Sequence, residues 1–138
     1  MSGDRADCTI STHVLDSTAG VPAAGVTVVL ATLDAAGDPA GGPGGDPAGG
    51  LAGGQWRVAG HGVTDADGRL RLSPSAEGDR EAFAAGEYSL TFGTGDYFRR
   101  QGIRSFYPTV TVTFTVTSGH YHVPLLLSPF AYSTYRGS

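Results

Sequence analysis

The sequence predicts an all-β sandwich. Three observations predict it. First, about seven or eight short stretches carry β-branched and aromatic residues in period-2 alternation, separated by Gly-, Pro- and Asp-rich turns. Second, one of them, Pro108 to Thr117 (PTVTVTFTVT), alternates cleanly between Val/Phe and Thr. Third, helix signals are sparse, and Thr94 to Gly102 is the best helix candidate. At 138 residues and 40% hydrophobic content, the chain has one domain's length and enough apolar side chains for a core.

The elements follow in order. Cys8 to Asp16 (CTISTHVLD) reads as a strand, with Cys8, Ile10, Thr12 and Val14 on one face and Thr9, Ser11, His13 and Leu15 on the other. Ser17 to Gly25 is a turn. Val26 to Leu33 is a buried, β-branched strand. Residues 35–54 then break the pattern. They hold nine of the 22 glycines and three prolines, with GDPAGG at 37–42 and again at 45–50. Such a segment cannot bury enough surface to offset its ordering entropy, so it is expected to be a flexible surface insert. Residues 1–7 are expected to be an N-terminal tail, and 8–138 the domain.

Gln55 to Val63 resumes as a strand, with Trp56 expected to anchor it. Thr64 to Arg69 (TDADGR) is a tight turn, since Asp supplies local hydrogen bonds and Gly a positive φ. Leu70 to Leu72 and Glu87 to Phe92 are strands; one helical turn is expected near Asp79–Ala84. In the helix candidate, Asp96 is expected to cap the N-terminus and Gly102 to stop the C-terminus. Ser118-Gly119 is expected to turn a two-residue hairpin into the next strand.

Composition excludes several functional classes. A net charge of −4 leaves no basic field to attract nucleic acid or an anionic membrane. No run approaches the roughly 20 apolar residues of a membrane span. The N-terminus lacks the apolar stretch of a secretory signal. A lone Cys8 forms no internal disulfide and reads as a small apolar residue; a cytoplasmic location is expected.

The last twenty residues are the most unusual. In Gly119 to Leu127, strand alternation puts Tyr121, Val123, Leu125 and Leu127 on a core face, and His120 and His122 on the other beside Pro124 and Leu126. Two imidazoles on one face can share a proton, a ligand or a metal ion, but no Cys or Glu cluster accompanies them for a metal. Ala131 to Ser138 reads as another strand running to the terminus, where most chains fray. No nucleophile elbow, phosphate loop, dinucleotide fingerprint or zinc-protease helix appears. From these patterns alone Arg69 is an exposed turn residue, and no substrate is named.

Five motifs go further: Ser11 to Asp16 (STHVLD) with Gly20 to Ala23 (GVPA); Thr64 to Arg69 (TDADGR); Thr94 to Phe98 (TGDYF) with Ser105 to Pro108 (SFYP); His120 to Ser128 (HYHVPLLLS); and Tyr132 to Ser138 (YSTYRGS). In this order the chain resembles the 5-hydroxyisourate hydrolases of the transthyretin-related family, over nearly its whole length except the insert and first residues. The first-half motifs also occur in other prealbumin-like domains; HYHVP and the terminal YRGS are the specific ones.

The resemblance implies a transthyretin-like sandwich of two four-stranded sheets and a homotetramer, with active sites in the channel where dimers meet. It implies hydrolysis of 5-hydroxyisourate in urate breakdown, without a metal or organic cofactor. Its catalytic positions fall on His13, Arg69, His122 and Ser138, and its substrate-binding positions on His13, Arg69, His120, Tyr135, Arg136 and Gly137. His122 is expected to be the base, His13 to orient substrate or share the proton, and Arg69 to hold oxygens of the substrate. Ser138 would act through its hydroxyl or its carboxylate. The rival is a non-catalytic carrier of small ligands on the same fold.

Overall fold

The protein is described here by a computed structural model covering residues 8–34, 55–73 and 83–137. The expected tail (1–7), the Gly/Pro-rich insert (35–54), residues 79–82 of the expected helical turn, and Ser138 lie outside the described residues. The elements are β1 (Cys8–Asp16), β2 (Val21–Pro22), β3 (Thr27–Asp34), β4 (Gln55–Val63), β5 (Arg69–Leu72), β6 (Gly86–Phe92), α1 (Thr94–Arg99), β7 (Val110–Val116), β8 (Gly119–Leu127) and β9 (Tyr132–Thr134).

They form two sheets. One runs β4-β3-β6-β7 and is antiparallel throughout. The other runs β2-β1-β8-β9, with β5 also paired to β1. β2 meets β1 at Leu15 and Asp16, and β5 meets it from Ile10 to His13. The two short strands therefore share one edge of β1, and this sheet is four positions wide although five strands build it.

The alternation read from the sequence decides which faces meet. Cys8, Ile10, Thr12 and Val14 of β1 are buried, as are Tyr121, Val123, Leu125 and Leu127 of β8. They face Val28 and Leu30 of β3 and Leu90 and Phe92 of β6 in one core cluster. Each fully buried aliphatic side chain there contributes about 1.5–3 kcal/mol by leaving water. Thr12 is buried too, and its hydroxyl donates to the Val123 carbonyl at 2.6 Å. Among the described residues no helix is long and apolar enough to cross a membrane.

Four local expectations are corrected. Ser118-Gly119 makes no hairpin. β7 and β8 belong to different sheets, and the chain turns a corner between them with Gly119 at φ 94°. The Tyr121 hydroxyl accepts from the Thr117 and Ser118 amides at 2.9 and 3.3 Å, so the corner's donors need no hairpin ladder. Released from β7, β8 lies parallel to β1 over nine residue pairs, Cys8↔Gly119 to Asp16↔Leu127.

The helix is shorter than expected and ends at Arg99; its N-cap is Gly93, with no side-chain cap. Asp96 lies in the first turn and pairs with Arg99. Gly102, at φ 72°, still marks the stop. Trp56 is half-buried on edge strand β4 and outside the core cluster. The final strand spans three residues rather than eight, but Gly137 rejoins the sheet through an isolated bridge to His122.

Candidate active site

The site is built on the outer face of the β1–β8 sheet. Parallel register places Thr9 beside His120, Ser11 beside His122, and His13 beside Pro124. On the other side of β1, antiparallel register places Arg69 beside His13 and Arg71 beside Ser11. Cross-strand neighbours point to the same face. His13, Arg69, His120 and His122, far apart in the chain, are thus brought to one surface by the strand order.

Arg69 is fixed by its turn. The Asp65 carboxylate accepts from the amides of Asp67 and Arg69, both at 2.9 Å, and these bonds hold its pKa below the usual carboxylate range. Gly68 sits at φ 76°, and its carbonyl accepts from the Val14 amide at 2.7 Å. A Cβ at Gly68 would lie 2.4 Å from the Val14 carbonyl oxygen, so only glycine fits where the turn docks on β1.

The imidazoles form a connected group. The His13 and His122 ring centroids are 6.5 Å apart; those of His120 and His122 are 6.4 Å apart and near-parallel. Ser11 Oγ lies 2.8 Å from His122 Nδ1 and 3.2 Å from His120 Nε2, and Thr9 Oγ1 lies 2.6 Å from His120 Nδ1. His122 is half-buried and His120 exposed. Burial, then the neighbouring charges of His120, His13 and Arg69, lower the His122 pKa below the ordinary imidazole value. The shift favours the neutral imidazole, the form able to accept a proton.

The tail closes one side. The Gly137 amide donates to the His122 carbonyl at 2.8 Å, and the Thr134 hydroxyl donates to the Pro124 carbonyl at 2.7 Å. A Cβ on Gly137 would lie 2.8 Å from His122 Cδ2 and 3.3 Å from Pro124 Cγ, so the backbone passes flat against the imidazole. The β8–β9 register, with Leu125 against Thr134, sets Tyr135 and Gly137 on the imidazole face and Arg136 on the opposite one. The Arg136 guanidinium carbon lies over the Tyr121 ring, 4.3 Å from its centroid. Of the expected substrate-binding residues, Arg136 is thus directed away from the imidazoles.

Sequence reasoning assigned no role to Ser11 or Thr9. Their alternation with His13 was visible, but the hydroxyl contacts depend on the β1–β8 pairing across more than a hundred residues. Among the described residues no group of three or more His, Cys, Asp or Glu side chains could hold a metal ion. A recess of about 290 Å³ lined by Pro22, Ala24, Tyr97, Arg100 and Gln101 shares no residue with the imidazole group.

Comparison with known proteins gives one consistent answer. Residues 10–137 match the HIUase/Transthyretin family. The chain is 40% identical over 134 residues to the 5-hydroxyisourate hydrolase of Mesorhizobium japonicum, covering 94% of this chain and 91% of the relative. In structure it is similar to Klebsiella pneumoniae 5-hydroxyisourate hydrolase, with a TM-score of 0.71 and 33% identity over 95% of this chain and 99% of that one. It is also similar to sea bream transthyretin in complex with thyroxine, with a TM-score of 0.70 and 28% identity over 93% of each chain.

Proposed function

The chain belongs to the HIUase/Transthyretin family, and from that premise we infer that it is a hydrolase of 5-hydroxyisourate, acting in urate catabolism. The product is 2-oxo-4-hydroxy-4-carboxy-5-ureidoimidazoline. The observation that carries the catalytic reading, over a carrier with the same sandwich, is the grouping of half-buried His122 with His13, His120 and Arg69 on one sheet face.

The mechanism uses these groups in sequence. Water is held at the open ring nitrogen of His122. Its oxygen bonds to the lactam carbonyl carbon as one proton passes to His122. Negative charge moves onto the carbonyl oxygen, which Arg69 stabilises as a fixed positive charge. The adduct then collapses. The carbon–nitrogen bond breaks, the proton leaves His122 for the departing nitrogen, and the carboxylic acid left behind releases the second water proton to solvent and becomes a carboxylate. His13, paired to Arg69 across the β1–β5 edge, orients the substrate. Tyr135, His120 and the backbone at Gly137 bound the ring. Ser138, which follows Gly137 in sequence, supplies its hydroxyl to the water in this reading.

The active assembly in this reading is a homotetramer with the imidazole face lining a channel between dimers. Exposed aromatic side chains support it: Phe106, Phe130 and Tyr135 are 67%, 63% and 58% exposed in the single chain. A second copy would cover such a surface.

The test is optical. Urate and uricase generate 5-hydroxyisourate in the cuvette, and its decay is followed with and without the protein. Acceleration in proportion to protein concentration is the expected result. Spontaneous decay in the presence of folded protein, with ligand bound but unchanged, would establish the carrier instead. The tail contact gives a second expected result. Gly137→Ala pushes a methyl against the His122 ring, so kcat/KM falls by about tenfold or more while the melting temperature stays near the native value. Unchanged turnover would remove the tail backbone from the site.

A further inference from the structure

The hydroxyl of Ser11 stands between two imidazoles, 2.8 Å from His122 Nδ1 and 3.2 Å from His120 Nε2. A serine hydroxyl has one proton. It can donate to one of these nitrogens and must accept from the other. Two directions satisfy the group. In one, His122 Nδ1–H donates to Ser11, Ser11 donates to His120 Nε2, and His120 Nδ1–H donates to Thr9 Oγ1, 2.6 Å away. In the other, every donor and acceptor is reversed, and His122 carries its proton on Nε2.

We propose that Ser11 is a positioning residue that, with His120 as its acceptor, holds His122 in the tautomer protonated at Nδ1 and bare at Nε2. The proposal rests on the hydrolase reading, because only this direction leaves His122 a lone pair for water. Two features of the site select it. Nδ1 is occupied by Ser11, so Nε2 is the nitrogen left to the open face. Among the described residues, the permanent charges that the strand register places on that face are Arg69 and Arg71 on β5, beside the imidazoles of His13 on β1 and His120 on β8. Cations favour a lone pair over an N–H at the nitrogen left open. Among the described tail residues, Tyr135 is the titratable group on this face, since Arg136 lies against Tyr121. When Nε2 takes a proton, the imidazolium keeps its Nδ1–H on Ser11, so the ring does not turn during the reaction. The arrangement corresponds to the orienting partner of a catalytic imidazole, with a hydroxyl–imidazole relay in place of a carboxylate.

The experiment reads the tautomer directly. Protein labelled with ¹⁵N-histidine is recorded by two-bond ¹H–¹⁵N correlation at mildly alkaline pH, as native chain, Ser11→Ala, Ser11→Thr and His120→Ala. The native spectrum is expected to show His122 protonated at Nδ1. Ser11→Ala should move it to the Nε2–H form that free imidazole favours, and Ser11→Thr should keep the native form. His120→Ala, at an exposed position, frees the Ser11 proton to donate to Nδ1 and should shift His122 the same way as Ser11→Ala. In parallel, Ser11→Ala should lower kcat by roughly ten- to a hundredfold with KM within about twofold, and Ser11→Thr should recover most of it. A native His122 protonated at Nε2, or a tautomer indifferent to both alanine variants, overturns the proposal. Should the native protein fail to turn over 5-hydroxyisourate, the hydrolase reading falls, and the tautomer spectra alone decide what Ser11 does.

Discussion

Asparagine in place of His122 will leave the sandwich standing and reduce turnover by roughly 10²- to 10⁴-fold, the contribution of a well-placed general base. The fold survives for structural reasons. His122 lies on the outer face and is half-buried, while the core side of β8 is carried by Tyr121, Val123, Leu125 and Leu127. The Gly137 bond to position 122 runs through the backbone carbonyl and does not depend on the side chain. Asparagine can still meet the Ser11 hydroxyl, but its amide has no basic lone pair. The check is kcat from the uricase-coupled decay beside a thermal melt. A variant retaining a third of native turnover would place the base elsewhere.

Methionine in place of Arg69 will lower kcat/KM by about 10²- to 10³-fold, the usual loss when one preorganised stabiliser of a developing oxyanion is removed. Methionine keeps an unbranched apolar stem but removes the charge. The turn itself should persist, since the Asp65 carboxylate binds the backbone amide at position 69 rather than the guanidinium. The same change has a second, independent signature. Arg69 is one of the charges that lower the His122 pKa. Without it that pKa rises toward the ordinary imidazole value, and the acidic limb of the rate profile moves to higher pH. A loss of rate with no shift of the limb would leave Arg69 a substrate contact without influence on the base.

Much of this architecture was legible because strand alternation is local. Cys8, Ile10, Thr12 and Val14 against Ser11 and His13, and Tyr121 and Val123 against His120 and His122, could be sorted without any knowledge of pairing. The TDADGR turn was legible for the same reason, as Asp65 and Gly68 act within five residues. Connection between sheets was not. Ser118-Gly119 has a hairpin's composition, and nothing nearby says that Tyr121 satisfies the corner amides and sends β8 to the other sheet. That one choice creates the parallel register with β1, and with it the contacts of Ser11 and Thr9 to the imidazoles. Arg136 shows the opposite limit. Motif resemblance places it in the site as part of YRGS, but the register of the tail turns its side chain to Tyr121.

The central claim is that a neutral His122 takes the proton from water, and the pH dependence of kcat/KM for the native protein tests it most directly. A base works in its unprotonated form, so activity falls as pH drops through its pKa. Burial and the surrounding positive charges depress that pKa. The account therefore predicts a plateau through neutral pH that persists below about 6.5, the ordinary imidazole value, with a single acidic limb further down that is absent from the residual activity of His122→Asn. A limb at or above the ordinary value, or the same limb in the asparagine variant, would contradict it.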